Sequence, residues 1–165
     1  MKGKRRIVSA FLSLLMVGVL WVPASLAVNA ADVSVSVYHE YTTTEEEAID
    51  RWYAVARGTY LREGGCTIKR AGTAKVSVSG TTYAHSICDY VRVGVYLDES
   101  TDGGVTFGQI GSYYYSEEQT SSCHGSKTNI SVTSGRRYMA RAGHSVTEGS
   151  TTESTTSETG AISAS

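Results

Sequence analysis

Charge of one sign, catalytic signatures and long apolar runs are all scarce in this chain, and each scarcity removes a class of function. Fifteen Lys and Arg stand against sixteen Asp and Glu. A chain without a basic excess is not drawn to polyanions, so nucleic acid is not an expected partner. One apolar run is long, residues 7–22; no second one follows, and the C-terminus carries no apolar tail. No G-x-S-x-G turn raises a serine nucleophile. Glu117 and Glu118 are sequence neighbours, with nothing to set the separation a glycosidase pair needs. Cys66 opens no diagnostic motif, and the histidines are scattered. These gaps favour a non-enzymatic protein without a cofactor.

The N-terminus is what is conspicuously present. Lys2, Lys4, Arg5 and Arg6 precede the apolar run, and Pro23 ends it. Val28-Asn29-Ala30 then supplies a small-x-small cleavage site. A basic start, an apolar middle and small residues at the end make a secretory signal. The run is shorter than the roughly 20 residues of a membrane-spanning helix. Residues 1–30 are therefore expected to be removed near Ala30, leaving a secreted chain with no transmembrane segment. Removal takes four basic residues and no acids, so eleven remain against sixteen, a net charge of −5. The remaining length suits one domain with a real core.

Three cysteines remain, Cys66, Cys88 and Cys123. Export favours one disulfide, but three pairings are open and one thiol is always left over. His85-x-x-Cys88 with Cys123-His124 is a set zinc accepts, but the adjacent pair lacks the usual ligand spacing.

Periodicity divides the rest. Val33, Val35 and Val37 alternate with polar residues as in a strand or extended arm. Thr44 with Glu47 forms a capping box, and Ile49, Trp52, Tyr53 and Ala56 follow at helical spacing before Gly58. A short helix over residues 45–56 is predicted, with Trp52 anchoring it in the core. From residue 59 the period becomes two. Val91, Val93, Val95 and Leu97 point one way, Arg92 and Tyr96 the other. Asp102-Gly103-Gly104 supplies a hairpin turn to a partner strand over 105–115. Residues 117–126 read as polar loop, 130–132 as a short strand, and 137–146 as a strand with Tyr138, Ala140 and Ala142 on one side. The Ser/Thr-rich end from 147 is either a solvated tail or a last edge strand near 159–163. The prediction is an all-β antiparallel sandwich of six to seven strands over 59–165, preceded by an N-terminal segment, 31–58, that carries the short helix.

Several blocks together resemble a family of small secreted proteins from Gram-positive gut bacteria, a domain of unknown function. They are Tyr60-Leu61-x-x-Gly64, then Val76-x-Val78-Ser79-Gly80-x-Thr82-x-Ala84, then Val91-x-Val93-x-Val95-Tyr96-Leu97, then Tyr138, Arg141, His144 and Ser145. The resemblance covers about residues 59–160. It implies secretion and a β-rich fold and carries no site residues. Val105-Thr106-Phe107 stands where the family would place an aromatic directly after the turn glycines.

Three groups of residues are candidate sites. Asp98-x-Ser100-x-Asp102-Gly103 opens like a calcium loop, but Gln109 occupies the position of the bidentate Glu, so a plain hairpin turn is favoured. Tyr113, Tyr114 and Tyr115, with Tyr96 and Tyr90 across the hairpin, form an aromatic concentration suited to stacking on sugars or docking a protein. Ordinary cross-strand packing competes with that reading, and adjacent residues face opposite ways. Arg141 and His144 make a polar site near a strand end, against the plainer reading of an exposed face and a hydrogen-bonded histidine. The expectation is an extracellular binding module for glycan, cell wall or a cell-surface protein, using Tyr96, Tyr113, Tyr114, Tyr115, Arg141 and His144. A small effector or toxin-like protein, or a hydrolase with an unrecognised site, are the alternatives.

Overall fold

The computed structural model describes residues 37–54 and 58–165. All of them belong to one compact unit, Ser34–Ser165. The leader and its cleavage site lie outside the described residues. Eight strands follow in order: β1 (Val37–Thr43), β2 (Glu47–Ala54), β3 (Leu61–Gly72), β4 (Lys75–Ser100), β5 (Gly108–Ser131), β6 (Arg137–Glu148), β7 (Thr151–Glu158) and β8 (Ile162–Ser163). Every pairing is antiparallel, and there is no helix among the described residues. The fold is all-β and antiparallel.

The strand order is β1-β2-β3-β4-β6-β7, with β5 also on β4 and β8 on β6. The 26-residue β4 is what bends this sheet. Its first half pairs with β3 and its second half with β6, while β5 follows both halves. The β4–β5 register slips between Tyr83 and Cys88, where β4 holds extra residues. Bulges of this kind kink a strand and sharpen its twist. Past it, β6 and β7 lie against β3 and β2. The Cys66 thiol of β3 donates to the Ala140 carbonyl of β6 (3.6 Å), and the Glu158 amide of β7 donates to Asp50 of β2 (2.8 Å). The core fills the space between. Val76 and Val78 face Val91, Val93, Val95, Leu97, Tyr138, Ala140 and Ala142, all at most 1% exposed. The alternation expected of the 91–97 and 137–146 strands is present.

The helix predicted over 45–56 is instead β2, and the correction is instructive. Thr44 does hold the local donors: its hydroxyl accepts from the Glu46 and Glu47 amides (3.3 and 3.0 Å). It does so in the tight turn joining β1 to β2, where the Thr44 amide also donates to the Glu47 carbonyl (2.7 Å). Thr-x-x-Glu is turn chemistry here, one of the alternatives a threonine side chain offers its backbone. Along β2, Ala48, Asp50 and Trp52 are buried, a period of two. A helix of this length is marginal alone, whereas β2 has hydrogen-bonded neighbours on both sides. Trp52 still anchors the core, 6% exposed.

The loop predicted over 117–126 is likewise strand. It is the middle of β5, whose outer edge has no strand partner among the described residues and whose side chains are mostly solvated. Cys123 and Gly125 alone in that stretch turn fully inward. The strand predicted at 130–132 is the end of β5, and the Ser/Thr-rich end is ordered as β7 and β8.

Candidate functional site

The register places four outward-facing residues in a row across the second half of the sheet: Tyr114 (β5), Gly94 (β4), Gly143 (β6) and Thr156 (β7). Flanking rows run Ser112, Tyr96, Arg141, Glu158 on one side and Ser116, Arg92, Ser145, Ser154 on the other. Two glycines side by side leave no side chains at the centre. The result is a trough, a cavity of about 730 Å³ lined by Arg92, Gly94, Tyr96, Tyr114, Gly143 and Ser154 among others. Such a volume lies within the range of small-ligand sites.

The other interior strand glycines are accounted for by packing. A Cβ on Gly64 would sit 2.6 Å from the His144 ring, on Gly80 2.8 Å from Val93 and Val95, and on Gly125 against the Tyr115 ring. On Gly65 it would meet the Asp50 carbonyl at 3.0 Å, on Gly111 the Tyr113 hydroxyl at 3.0 Å, and on Gly94 the Tyr114 ring at 3.1 Å. Gly143 is different: a Cβ there meets nothing within 4 Å. Glycine inside a strand costs about 0.5–1 kcal/mol relative to alanine. Neither packing nor a left-handed backbone requires it at 143; a glycine inside a strand is one mark of a place where a ligand or another backbone approaches closely.

The tyrosines separate by parity. Tyr114 points out, 70% exposed, and meets Tyr96 edge to face (centroids 5.9 Å, planes 83°). Interaction with the Tyr114 hydroxyl, then burial, raises the Tyr96 phenol pKa, keeping it protonated. Tyr113 and Tyr115 point in and pack on the core; Tyr115 donates to the Ser126 carbonyl at 2.7 Å. Arg141 reaches the trough's Tyr96 wall with its guanidinium 5.5 Å from the ring, held by Asp98 through Nε and Nη2. The structure thus brings Tyr96, Tyr114 and Arg141 together and turns Tyr113, Tyr115 and His144 inward.

His144 is a buried residue of β6 and not a surface ligand. It is 1% exposed between the two layers, with Nδ1 2.9 Å from the Thr82 hydroxyl and Nε2 2.8 Å from the Ser157 hydroxyl. Burial lowers its pKa to about 4. A serine beside a histidine has the form of a nucleophile and its base, but Ser157 is 3% exposed and the far nitrogen faces Thr82 rather than a carboxylate. Both side chains are buried.

The calcium-loop residues do not converge. Asp98 binds Arg141, while Ser100 donates to Asp102 (2.7 Å). The Asp102 carboxylate also accepts from the Val105 and Thr106 amides and the Thr106 hydroxyl. Ser100 first, then Thr106, holds that carboxyl well below the usual range. Its oxygens serve the turn. Among the described residues no cluster of three or more His, Cys, Asp or Glu is placed to hold a metal. Cys66, Cys88 and Cys123 are free and buried rather than paired. Burial pushes the Cys66 thiol up to about 12 and raises the other two.

Arg92 and the Gly94–Gly143 pair escaped the sequence reading. Their signal was present: Gly94 and Gly143 each occupy an outward position in an otherwise regular alternation, and at Gly143 a side chain would have open space. Which glycines lie side by side depends on the β4–β6 register.

The family model DUF6147, a family of unknown function, matches residues 26–162. The chain belongs to this family. The DUF6147 match takes in β1 and β2 as well as the stretch from residue 59, so the N-terminal hairpin is part of the family's domain. No curated protein matches the chain. No helix among the described residues is long and apolar enough to cross a membrane.

Proposed function

We propose that this DUF6147 protein is a non-enzymatic binding module, exported by a Gram-positive bacterium, that takes a saccharide in the Gly94–Gly143 trough. The observation that carries the reading is Gly143, an unexplained glycine at the floor of a cavity walled by tyrosines. Tyrosine presents a flat apolar face with a polar tip. The opposite wall offers the hydroxyls of Ser145 and Ser154, with Thr156 at the trough's end, which make no hydrogen bond to protein among the described residues. Aromatic faces opposite free hydroxyls suit a ring with an apolar face and a hydroxyl rim. Across its four strands the trough is only about 14 Å wide, too small for a standard protein–protein interface. Export is supported by the basic start and apolar run of residues 1–22, which precede the family match at 26–162.

Gly143→Val gives a direct test. A β-branched residue suits a strand, and the Cβ has open space, so the variant should fold with an unchanged or higher Tm. Wild-type protein recovered from the medium of an expressing Gram-positive host is titrated against a cell-wall polysaccharide and glycan array. Binding that falls at least tenfold in Gly143→Val and in Tyr114→Ala supports the trough. Equal binding by wild type and Gly143→Val refutes it.

A further inference from the structure

Resting on the reading of the trough as a saccharide site, we propose that its ligand is an anionic saccharide whose acidic group is held by Arg92. Arg92 projects outward from β4, two residues from Gly94, and lines the cavity. Its charge differs in circumstance from that of Arg141 across the trough. Arg141 is bound by Asp98 through two nitrogens and has Glu158 directly opposite in the register. Arg92 has no ion-pair partner among the described residues.

The Arg92 guanidinium is nevertheless held in place. Nε donates to the Ser116 hydroxyl (3.3 Å), and the group lies 4.5 Å from the centroid of the Tyr90 ring. Those two contacts fix one edge and one face. The terminal nitrogens Nη1 and Nη2 make no hydrogen bond to protein among the described residues. They form the fork that receives the two oxygens of a carboxylate or phosphate. A side chain oriented beforehand loses little freedom when it binds.

The trough is therefore polarised. Its Tyr96 side has an arginine already neutralised, and its Arg92 side has a free cation beside Ser145 and Ser154. A saccharide with its apolar face toward Tyr114 and Tyr96 would direct hydroxyls and one acidic substituent to the other wall.

The test uses three probes in calorimetry: trigalacturonic acid, its methyl ester and galactose 6-phosphate, with wild type, Arg92→Gln and Gly143→Val. The expected result is binding of at least one anionic probe, about tenfold or more weaker in Arg92→Gln, as loss of a charged hydrogen bond implies. Binding should also weaken as salt rises from about 0.05 to about 0.5 M. Preference for the acid or for the phosphate identifies which anion the fork takes. Two results overturn the proposal: the methyl ester binding as tightly as the acid, or neither anionic probe binding. If an anionic probe binds wild type and Gly143→Val alike, the trough itself is the wrong site. If Gly143→Val loses binding while Arg92→Gln keeps it, the trough stands and the anionic ligand falls.

Discussion

Lowering the pH from 7 to 5 should destabilise this protein well before its carboxylates are protonated, because of His144. The imidazole is enclosed by Gly64 of β3, Thr82 of β4 and Ser157 of β7, and both nitrogens face hydroxyls. No carboxylate is hydrogen-bonded to it to welcome a positive charge. Burial depresses its pKa from the ordinary 6.5 to about 4. In the unfolded chain it titrates near 6.5, so between these values the unfolded state binds the extra proton. The stability is complete above about pH 6.5 and is lost as pH falls toward 4. The gap corresponds to about 3 kcal/mol in all, of which about 2 kcal/mol is gone at pH 5. Urea unfolding followed by fluorescence at half-unit intervals from pH 7.5 to 4.5 measures this. His144→Gln keeps a hydrogen-bonding group without the titration, so its stability should vary much less over the same interval. A wild-type profile flat between pH 7 and 5, or one matched by His144→Gln, would refute the neutral buried imidazole.

Two further outcomes follow from the packing. Glu153 of β7 accepts from the Thr59, Tyr60 and Leu61 amides (2.8, 3.0 and 2.7 Å), tying the last strands to the start of β3. Burial opposes its ionisation, but those three bonds, Leu61's first, outweigh it and lower the pKa. Glu153→Gln should cost about 2 kcal/mol at pH 7. That difference should shrink as pH falls through the depressed Glu153 value, which the same urea titration at pH 7 and pH 3 reads out. The buried thiols predict a second result. With the Cys66 pKa pushed up to about 12 and the others raised, the native protein at pH 8 should not react with a disulfide reagent within minutes. In urea all three thiols should react, and recovery of only one would show a disulfide where the structure has free cysteines.

Local chemistry was legible in this chain wherever one face of a strand is buried and the other is wet. Val91, Val93, Val95 and Leu97 alternate because the side chains of a strand do, and they are buried as the alternation demands. The Asp102-Gly103-Gly104 turn was legible for the same local reason: its carboxylate serves its own backbone, and both glycines have positive φ. The signal failed where the pattern belongs to neighbours. The helical spacing of Ile49, Trp52 and Tyr53 was real, but β1 and β3 supply backbone partners on both sides, and a short isolated helix cannot compete with them. Residues 117–126 read as loop because an edge strand buries little of itself.

For the candidate site, the amino-acid sequence by itself determined an all-β antiparallel chain with surplus tyrosines, and nothing more specific. Tertiary structure decided which tyrosines face out, that His144 lies inside, and that Arg141 is bound by Asp98 while Arg92 is not. The physical reason is that a strand's sequence sets its alternation but not its neighbours. Register across β4, β5, β6 and β7 is a long-range choice made by packing the whole core, and only that choice sets Gly94 beside Gly143 and opens the trough.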